Sequence, residues 1–426
     1  MAGDTIFALS SGNPPAAISV IRVSGAGAHR AGTELAGPLP PARRAAVREL
    51  RDEAGNLLDE ALVLRFDGPS SSTGEDTLEL HCHGGRAVVA AVLKALGGRD
   101  GLRQAEPGEF TRRAFENGRI DLTEAEGLAD LIEAETESQR RAALMTAEGG
   151  LRKQIDGWQA WLLELSARAE AVIDYVDEDS VDIDPSLSSD CGALAEELTR
   201  WLDRPRAEPL REGIRVVIAG PPNTGKSSIL NALVGYDRAI VTDIPGTTRD
   251  HIEVPLALDG LPIRLTDTAG LRESDEFVEQ LGVDRARTQL ALADIVLWLG
   301  DPEEVPDHPR LIRVHGRADL PMRRVVPSGS IPVSSLAGTG LSELTRAIAV
   351  IAGSILPGEG EIALNRRQAE CLARARDALE AARNAADVVI VAESLRQARG
   401  AFDRLTGRAG VEDLLDALFG RFCLGK

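Results

Sequence analysis

The chain has only four cysteines, Cys82, Cys191, Cys371 and Cys423, scattered with no CxxC pair among them. That scatter indicates neither a zinc knuckle nor a disulfide framework, and it fits a reducing compartment. No apolar run approaches the roughly 20 residues of a membrane span, so the sequence does not read as an integral membrane protein. The start, MAGDTIFALSSGNPPAAISVIRVSG, lacks a basic n-region and is broken by Asn13-Pro14-Pro15 before a signal-like stretch develops. It reads as native cytoplasmic sequence. Positive charge is also short: 48 Lys and Arg stand against 67 Asp and Glu, a net charge of -19. Nonspecific nucleic-acid affinity comes mainly from basic side chains neutralising phosphates, so this balance argues against a polyanion-coating protein. Any RNA contact must be local or shared with a partner.

What is present is 426 residues of ordinary globular composition, 43% hydrophobic and 27% charged, enough for two to four domains. From Thr5 to about Gly118, β-rich runs (Ala17 to Val23, Leu62 to Phe66, Thr77 to Cys82) mix with turns and a helical stretch, Arg86 to Leu96, which predicts an α+β module. Thr123 with Glu126 reads as a capping box ahead of Leu128, Leu131 and Ile132. Leu151, Ile155, Trp158, Leu162, Leu165, Ala169 and Val172 then form one amphipathic stripe, the mark of a bundle helix. At Gly213 the pattern switches to strand-loop-helix alternation, with apolar runs at Ile214 to Ala219, Leu261 to Leu265, Ile295 to Leu299, Leu311 to Val314 and Ile331 to Val333. These predict a doubly wound sheet. After Pro357 helical periodicity returns through Leu372, Ala375, Leu379, Ala382 and Ala386, then Leu395, Ala398, Phe402 and Leu405. Neither helical flank has enough stripes to close a bundle alone, so the α/β unit is read as inserted between two halves of one helical domain. The expected architecture is multidomain α+β, with an amino-terminal module at 1–118, helical halves at 119–212 and 357–426, and the inserted unit at 213–356.

Gly220-Pro-Pro-Asn-Thr-Gly-Lys-Ser227 fits GxxxxGK[ST], follows a predicted strand and enters a helical run, Ser228 to Leu233. Its glycines let backbone N–H groups turn onto phosphates, Lys226 would neutralise β/γ oxygens, and Ser227 would ligate Mg²⁺. Asp267-Thr-Ala-Gly270 follows the run Leu261 to Leu265 and places a carboxylate near Mg²⁺ and a glycine N–H near the γ-phosphate. Between them, Gly246-Thr-Thr-Arg-Asp250 offers Thr248 to close over the metal. Three elements in this order specify a Ras-like P-loop GTPase.

The base-reading element departs from its usual form. His315-Gly-Arg-Ala-Asp319 stands where such GTPases carry NKxD, and only Asp319 matches. That carboxylate can still accept from guanine's N–H groups, which keeps GTP ahead of ATP. Ser334-Ser335-Leu336 follows the next strand as the second base-side loop. Gly316 has no amide to bond base and phosphate loop, a loss of roughly 1–2 kcal/mol or about ten-fold in affinity. On this reading Gly316→Asn tightens diphosphate binding, unless His315 already replaces the asparagine, and the Arg317 stem packs over the base. Leu271 follows Asp-Thr-Ala-Gly where Ras-type enzymes orient water with Gln, so another group must serve. The nearby carboxylates are Glu273, Asp275, Glu276 and Glu279; Arg249 and Arg272 are either finger residues or solvated arginines.

GPPNTGKSS, VTDIPGTTRD, DTAGLRES, the terminal FCLGK (Phe422 to Lys426), TGEDTLELHCHGG (Thr73 to Gly85) and PGEFTRRAFENGRIDLTEAE (Pro107 to Glu126) together resemble the MnmE (TrmE) family of tRNA-modification GTPases. The resemblance spans essentially the whole chain. It implies an amino-terminal tetrahydrofolate-binding and dimerisation module and a homodimer. It also implies an FAD-dependent MnmG-type partner forming a heterotetramer, which together add an aminomethyl or carboxymethylaminomethyl group to the tRNA wobble uridine. By the same resemblance the GTP pocket comprises Asn223, Thr224, Gly225, Lys226, Ser227 and Ser228, then Thr242, Asp243, Ile244, Pro245, Gly246, Thr247 and Thr248. It continues through Asp267, Thr268, Ala269 and Gly270 to Asp319, Ser334, Ser335 and Leu336. K⁺ would be held by Asn223, Thr242, Ile244 and Thr247, and Glu279 would orient the attacking water. A 5-formyl- or methylene-tetrahydrofolate donor would be held by Arg22, Glu79, Arg119 and Lys426, and the resemblance gives Cys423 a functional role in modification without specifying it.

Taken as residues alone, several of these have plainer readings. His81 and His83 lie on one face of a predicted strand, but without a third ligand they read as core or hydrogen-bonding histidines before a metal pair. Arg22 and Glu79 are ordinary charged residues, and Cys423 ends an amphipathic run that buries it. Two rival functions are a ribosome-assembly GTPase switch and a folate one-carbon enzyme with a regulatory G domain. The first lacks a second GxxxxGKS and a KH module here.

Overall fold

Alternation over Ile18–Ser24 turns Ser19, Ile21 and Val23 inward and leaves Val20 and Arg22 on the opposite face, which makes this strand the centre of a sheet with one covered side. The computed structural model describes residues 4–174, 185–236, 239–241, 253–267, 288–409, 412–422 and 424–425. They fall into two compact units, Met1–Ala129 with Asp403–Lys426, and Asp130–Phe402.

The first unit contains β1 (Thr5–Leu9), β2 (Ile18–Ser24), α1 (Ala28–Ala36), β3 (Ala45–Arg51), β4 (Leu57–Phe66), β5 (Thr77–His83), α2 (Arg86–Gly97), β6 (Leu102–Gln104), α3 (Glu109–Glu116) and the start of α4 (Leu122–Glu133). Its six strands run β3-β4-β5-β2-β1-β6, antiparallel except for the β1/β6 pair. Ile21, Val23, Leu50, Ala61, Val63, Leu78 and Leu80 from the strands meet Ala31 and Leu35 of α1 and Val89, Val92 and Leu96 of α2 in one core. The other sheet face carries a small apolar cluster of Ile6, Ala8, Ala105 and Phe110 at β1, and half-buried groups such as Val20, Arg22, Glu79 and His81 over β2 and β5. The helix α4 starts earlier than the expected Thr123/Glu126 box. Asp121 Oδ1 accepts from Glu124 N at 2.9 Å while Glu124 Oε2 accepts from Asp121 N at 2.7 Å. Leu122 and Thr123 are both fully buried, so burial pulls them inside the first turn and makes Asp121 the capping residue.

In the second unit, α5 (Glu137–Ala147), α6 (Gly150–Asp174), α7 (Pro185–Leu202) and α8 (Glu208–Glu212) precede β7 (Ile214–Ala219), α9 (Lys226–Val234), β8 (Ala239–Val241), β9 (Glu253–Leu258), β10 (Leu261–Asp267), β11 (Ile295–Trp298), β12 (Leu311–Gly316), β13 (Ser330–Val333) and α10 (Leu341–Ile355). Then come α11 (Arg366–Asn384) and α12 (Val388–Thr406), and α13 (Glu412–Phe419) returns to the first unit. The α6 stripe Leu151, Ile155, Trp158, Leu162, Leu165 and Ala169 is at most 2% exposed. Trp158 packs edge-on to Trp201 at 5.3 Å and stacks on Phe402 at 6.1 Å. Although the α/β elements separate them in sequence, α7 and α11 pack against one another. Ala386, expected on the α11 stripe, is exposed in the turn after it.

The second sheet runs β13-β12-β11-β7-β10-β9-β8. Its first five strands are parallel, but β9 and β8 are antiparallel, so the expected doubly wound sheet carries an antiparallel edge. The tight turn Asp259-Gly260 makes β9 and β10 a hairpin, which a parallel pairing could not be. Among the described residues no helix is long and apolar enough to cross a membrane.

Candidate functional site

The buried strand β7 delivers the chain to Gly220, and α9 begins at Lys226, so residues 220 to 225 form a loop at the carboxyl end of a parallel sheet. Gly225 sits at φ 99, a conformation open to glycine, and it aims the first N–H groups of α9 toward the loop. Lys226 is 6% exposed, and its ammonium donates to the carbonyls of Gly220 (3.0 Å) and Pro221 (2.8 Å), so the loop curls around one fixed positive charge. Thr224 Oγ1 also donates to Pro221 O, at 2.9 Å. Asn223, at φ 62, and Ser228 are exposed. Ser227 Oγ donates to Asp267 Oδ2 at 2.5 Å, which ties the end of β10 to the loop. A hydroxyl and a carboxylate held together are hard oxygen donors of the kind Mg²⁺ selects, and with Asp267 only 7% exposed the pair fits that ion. Mg²⁺ bound there would neutralise charge on the phosphates.

On the base side, β12 and β13 end next to each other, with His315 opposite Pro332 and Gly316 opposite Val333. His315 is buried and its Nε2 lies 2.8 Å from Arg323 O, so its ring is committed away from the phosphate loop and does not replace the missing asparagine. Arg317 is at φ 57 and exposed, as is Asp319. Ser334 is fully buried, and its hydroxyl accepts from Ala337 N at 3.1 Å to shape the second base-side loop, with Ser335 half-buried and Leu336 exposed. The remaining expected nucleotide residues, Thr242, Asp243, Ile244, Pro245, Gly246, Thr247, Thr248, Thr268, Ala269 and Gly270, lie outside the described residues, as do Leu271 and Glu279.

A second constellation lies on the open face of the first sheet. Arg22 and Glu79 are direct cross-strand partners on β2 and β5, with Arg22 Nε donating to Glu79 Oε1 at 3.1 Å. The guanidinium lies 5.7 Å from the centroid of the Phe110 ring, and Glu79 Oε2 is 3.4 Å from His81 Nε2. His83 Nδ1 meets Asp59 Oδ1 at 2.8 Å, so both histidines are hydrogen-bonding residues. Arg119 follows α3, and its stem lies beside Gly74. Burial first, and Asp59 second, push the Cys82 thiol up to about 12, which leaves it neutral.

Sequence reasoning did not single out Arg113. This buried guanidinium joins Asp4 Oδ1 (3.0 Å), Glu75 Oε2 (3.1 Å) and Glu109 Oε1 (3.0 Å), and so ties the loop before β5 to α3. The tail, which the resemblance brings back to the amino-terminal module through Lys426, is seated by contacts the sequence does not mark. Gly425 O accepts from Ser10 Oγ at 2.8 Å and Leu424 bridges Pro107, while a Cβ on Gly425 would lie 2.0 Å from Leu9 O. The carboxyl-terminal segment is therefore seated at the end of β1, through a contact that only glycine allows. Cys423 and Lys426 lie outside the described residues.

A parallel sheet feeding a lysine-centred phosphate loop, an aspartate bonded to the loop's serine and a base-side loop bearing Asp319 define a P-loop GTPase. Residues 122–423 match the MnmE helical domain and residues 5–119 the GTP-binding protein TrmE N-terminus. The tRNA modification GTPase MnmE of Erythrobacter litoralis is 53% identical over 425 residues, covering 99% of this chain and 100% of that one. Those of Rhizorhabdus wittichii and Novosphingobium aromaticivorans are 54% and 51% identical, covering 100% and 99% of this chain and 97% and 100% of theirs. The chain belongs to the MnmE (TrmE) family.

Proposed function

We propose that this chain is a GTPase of tRNA modification. With an FAD-dependent MnmG-type partner it installs a (carboxymethyl)aminomethyl group at C5 of the wobble uridine, using a folate one-carbon donor. The observation that carries the GTPase half is the Lys226 ammonium enclosed by its own loop, next to the bonded Ser227 and Asp267. In this reading the loop binds β/γ-phosphates, Ser227 and Thr248 hold Mg²⁺, and Asp319 selects guanine. Arg22, Glu79, Arg119 and Lys426 hold the donor, and the seating of Leu424 and Gly425 beside Ser10 and Pro107 supports a tail that reaches the first module. The chain works as a homodimer, with a folate-binding and dimerisation module at 1–118 and a G domain at 213–356. Modified wobble uridine should disappear from the tRNA of a strain lacking this gene and return with the natural chain; normal tRNA in that strain would refute the proposal.

GTP turnover should also depend on potassium. By the family resemblance Asn223, Thr242, Ile244 and Thr247 would supply oxygens to K⁺, and sodium, the smaller ion, would fill such a set poorly. The support is the family resemblance together with an exposed Asn223 on the phosphate loop. Hydrolysis rates compared in the two chlorides at constant ionic strength test this, and equal rates would remove the potassium site.

A further inference from the structure

The base-side loop departs from NKxD at Gly316 and Arg317, and both positions lie against the phosphate loop. A Cβ at position 316 would stand 2.8 Å from the carbonyl oxygen of Thr224, 3.5 Å from Leu299 Cδ2 and 3.6 Å from Ile229 Cδ1. The first approach is closer than carbon makes to oxygen, and its partner is backbone, not the free end of a side chain. Thr224 directly precedes Gly225, Lys226 and Ser227, so relief of that contact displaces the residues that receive phosphate. Leu299 and Ile229 are 2% and 1% exposed, so core packing closes the other directions. Arg317 lies on the same side of the phosphate loop: a Cβ on Gly225 would be 3.6 Å from both its Cγ and its Nε.

We propose that the two nucleotide loops of this chain are coupled by backbone closeness at Gly316, with the Arg317 side chain as the bridge between them. These two residues then determine guanine-nucleotide affinity. The proposal rests on the GTPase reading of the site and reverses the expectation from the motif. Glycine here is not merely an asparagine with its donor lost, because the phosphate-loop backbone at Thr224 stands 2.8 Å from where the Cβ of an asparagine would lie. Gly316→Asn therefore loosens nucleotide binding. The loss falls on GDP and GTP alike, because it acts through the phosphate loop, whereas the preference for guanine over adenine stays with Asp319.

Calorimetric titration of GDP, GTP and ADP into the natural full-length chain and its Gly316→Ala, Gly316→Asn and Arg317→Ala variants tests this. Both Gly316 variants should bind GDP about ten-fold more weakly or worse, a loss of about 1.4 kcal/mol, as the phosphate loop yields to the added side chain. Arg317→Ala should also weaken GDP binding, by less, and every variant should keep its guanine preference. Arg317 is exposed, so its variant decides the matter even where the Gly316 variants lose their fold. A Gly316 variant that binds as tightly as the natural chain or tighter, or an Arg317→Ala affinity equal to the natural one, would overturn the proposal. A natural chain that binds neither GDP nor GTP would instead sink the GTPase reading itself.

Discussion

Glu279→Ala slows GTP hydrolysis by about a hundredfold or more and leaves GTP binding nearly intact, the pattern expected for loss of water positioning or general-base help. Leu271 puts a hydrocarbon at the place where Ras-type enzymes hold a glutamine. Leucine neither donates to water nor accepts from it, so the attacking water needs another partner. Of the four nearby carboxylates, Glu279 is the one proposed for this role, on the family resemblance alone. The groups proposed to bind nucleotide are different ones: Lys226 with its two loop carbonyls, and Ser227 with Asp267. Single-turnover hydrolysis measured beside GTP affinity separates the two roles. A variant that turns over at the natural rate removes Glu279 from the mechanism and points to Glu276 or Arg272.

The elements legible in the sequence are those whose fold depends on local periodicity. The α6 stripe from Leu151 to Ala169 is read correctly because one helix face supplies a whole core seam, and the runs now seen as β7, β10, β11, β12 and β13 because parallel strands bury both faces. The edge strand β3 carries charge at three of its seven positions, Arg48, Glu49 and Arg51, and its pairing with β4 is settled by tertiary contact instead of apolar pattern. Asp121/Glu124 and Thr123/Glu126 are equally good capping boxes on paper, and the burial of Leu122 decides between them. The nucleotide loop is legible because its chemistry needs one short segment. The Arg22–Glu79 pair and the seat of Gly425 on Ser10 join residues 57 and 415 positions apart, and no local signal marks such partners. At Gly316 the sequence displays a missing donor, whereas the structure displays a missing volume.

Lys226→Ala should abolish useful nucleotide binding while leaving the fold in place. The ammonium is enclosed, with two backbone carbonyls at 3.0 and 2.8 Å as partners, so its position is fixed before any phosphate arrives. Preorganisation of this kind means that little side-chain entropy is lost on binding. With two of its three N–H donors on those carbonyls, the ammonium reaches at most one phosphate oxygen by a hydrogen bond; loss of that bond, about 1.5–3 kcal/mol, together with the attraction of the enclosed charge to the phosphates, weakens GTP by roughly a hundredfold or more. Arginine is not a substitute, since its planar fork is larger than the point charge that the loop encloses. The pair of variants is diagnostic: Glu279→Ala binds and does not turn over, whereas Lys226→Ala fails at binding. Thermal unfolding reads this without a catalytic assay, because a ligand that binds only the folded state raises the transition in proportion to RT ln(1 + [L]/Kd). The natural chain and Glu279→Ala should share the shift produced by saturating GDP, and Lys226→Ala should lose most of it. A Lys226→Ala protein that keeps the full GDP shift would show that the enclosed ammonium serves the loop's own carbonyls and not the phosphates.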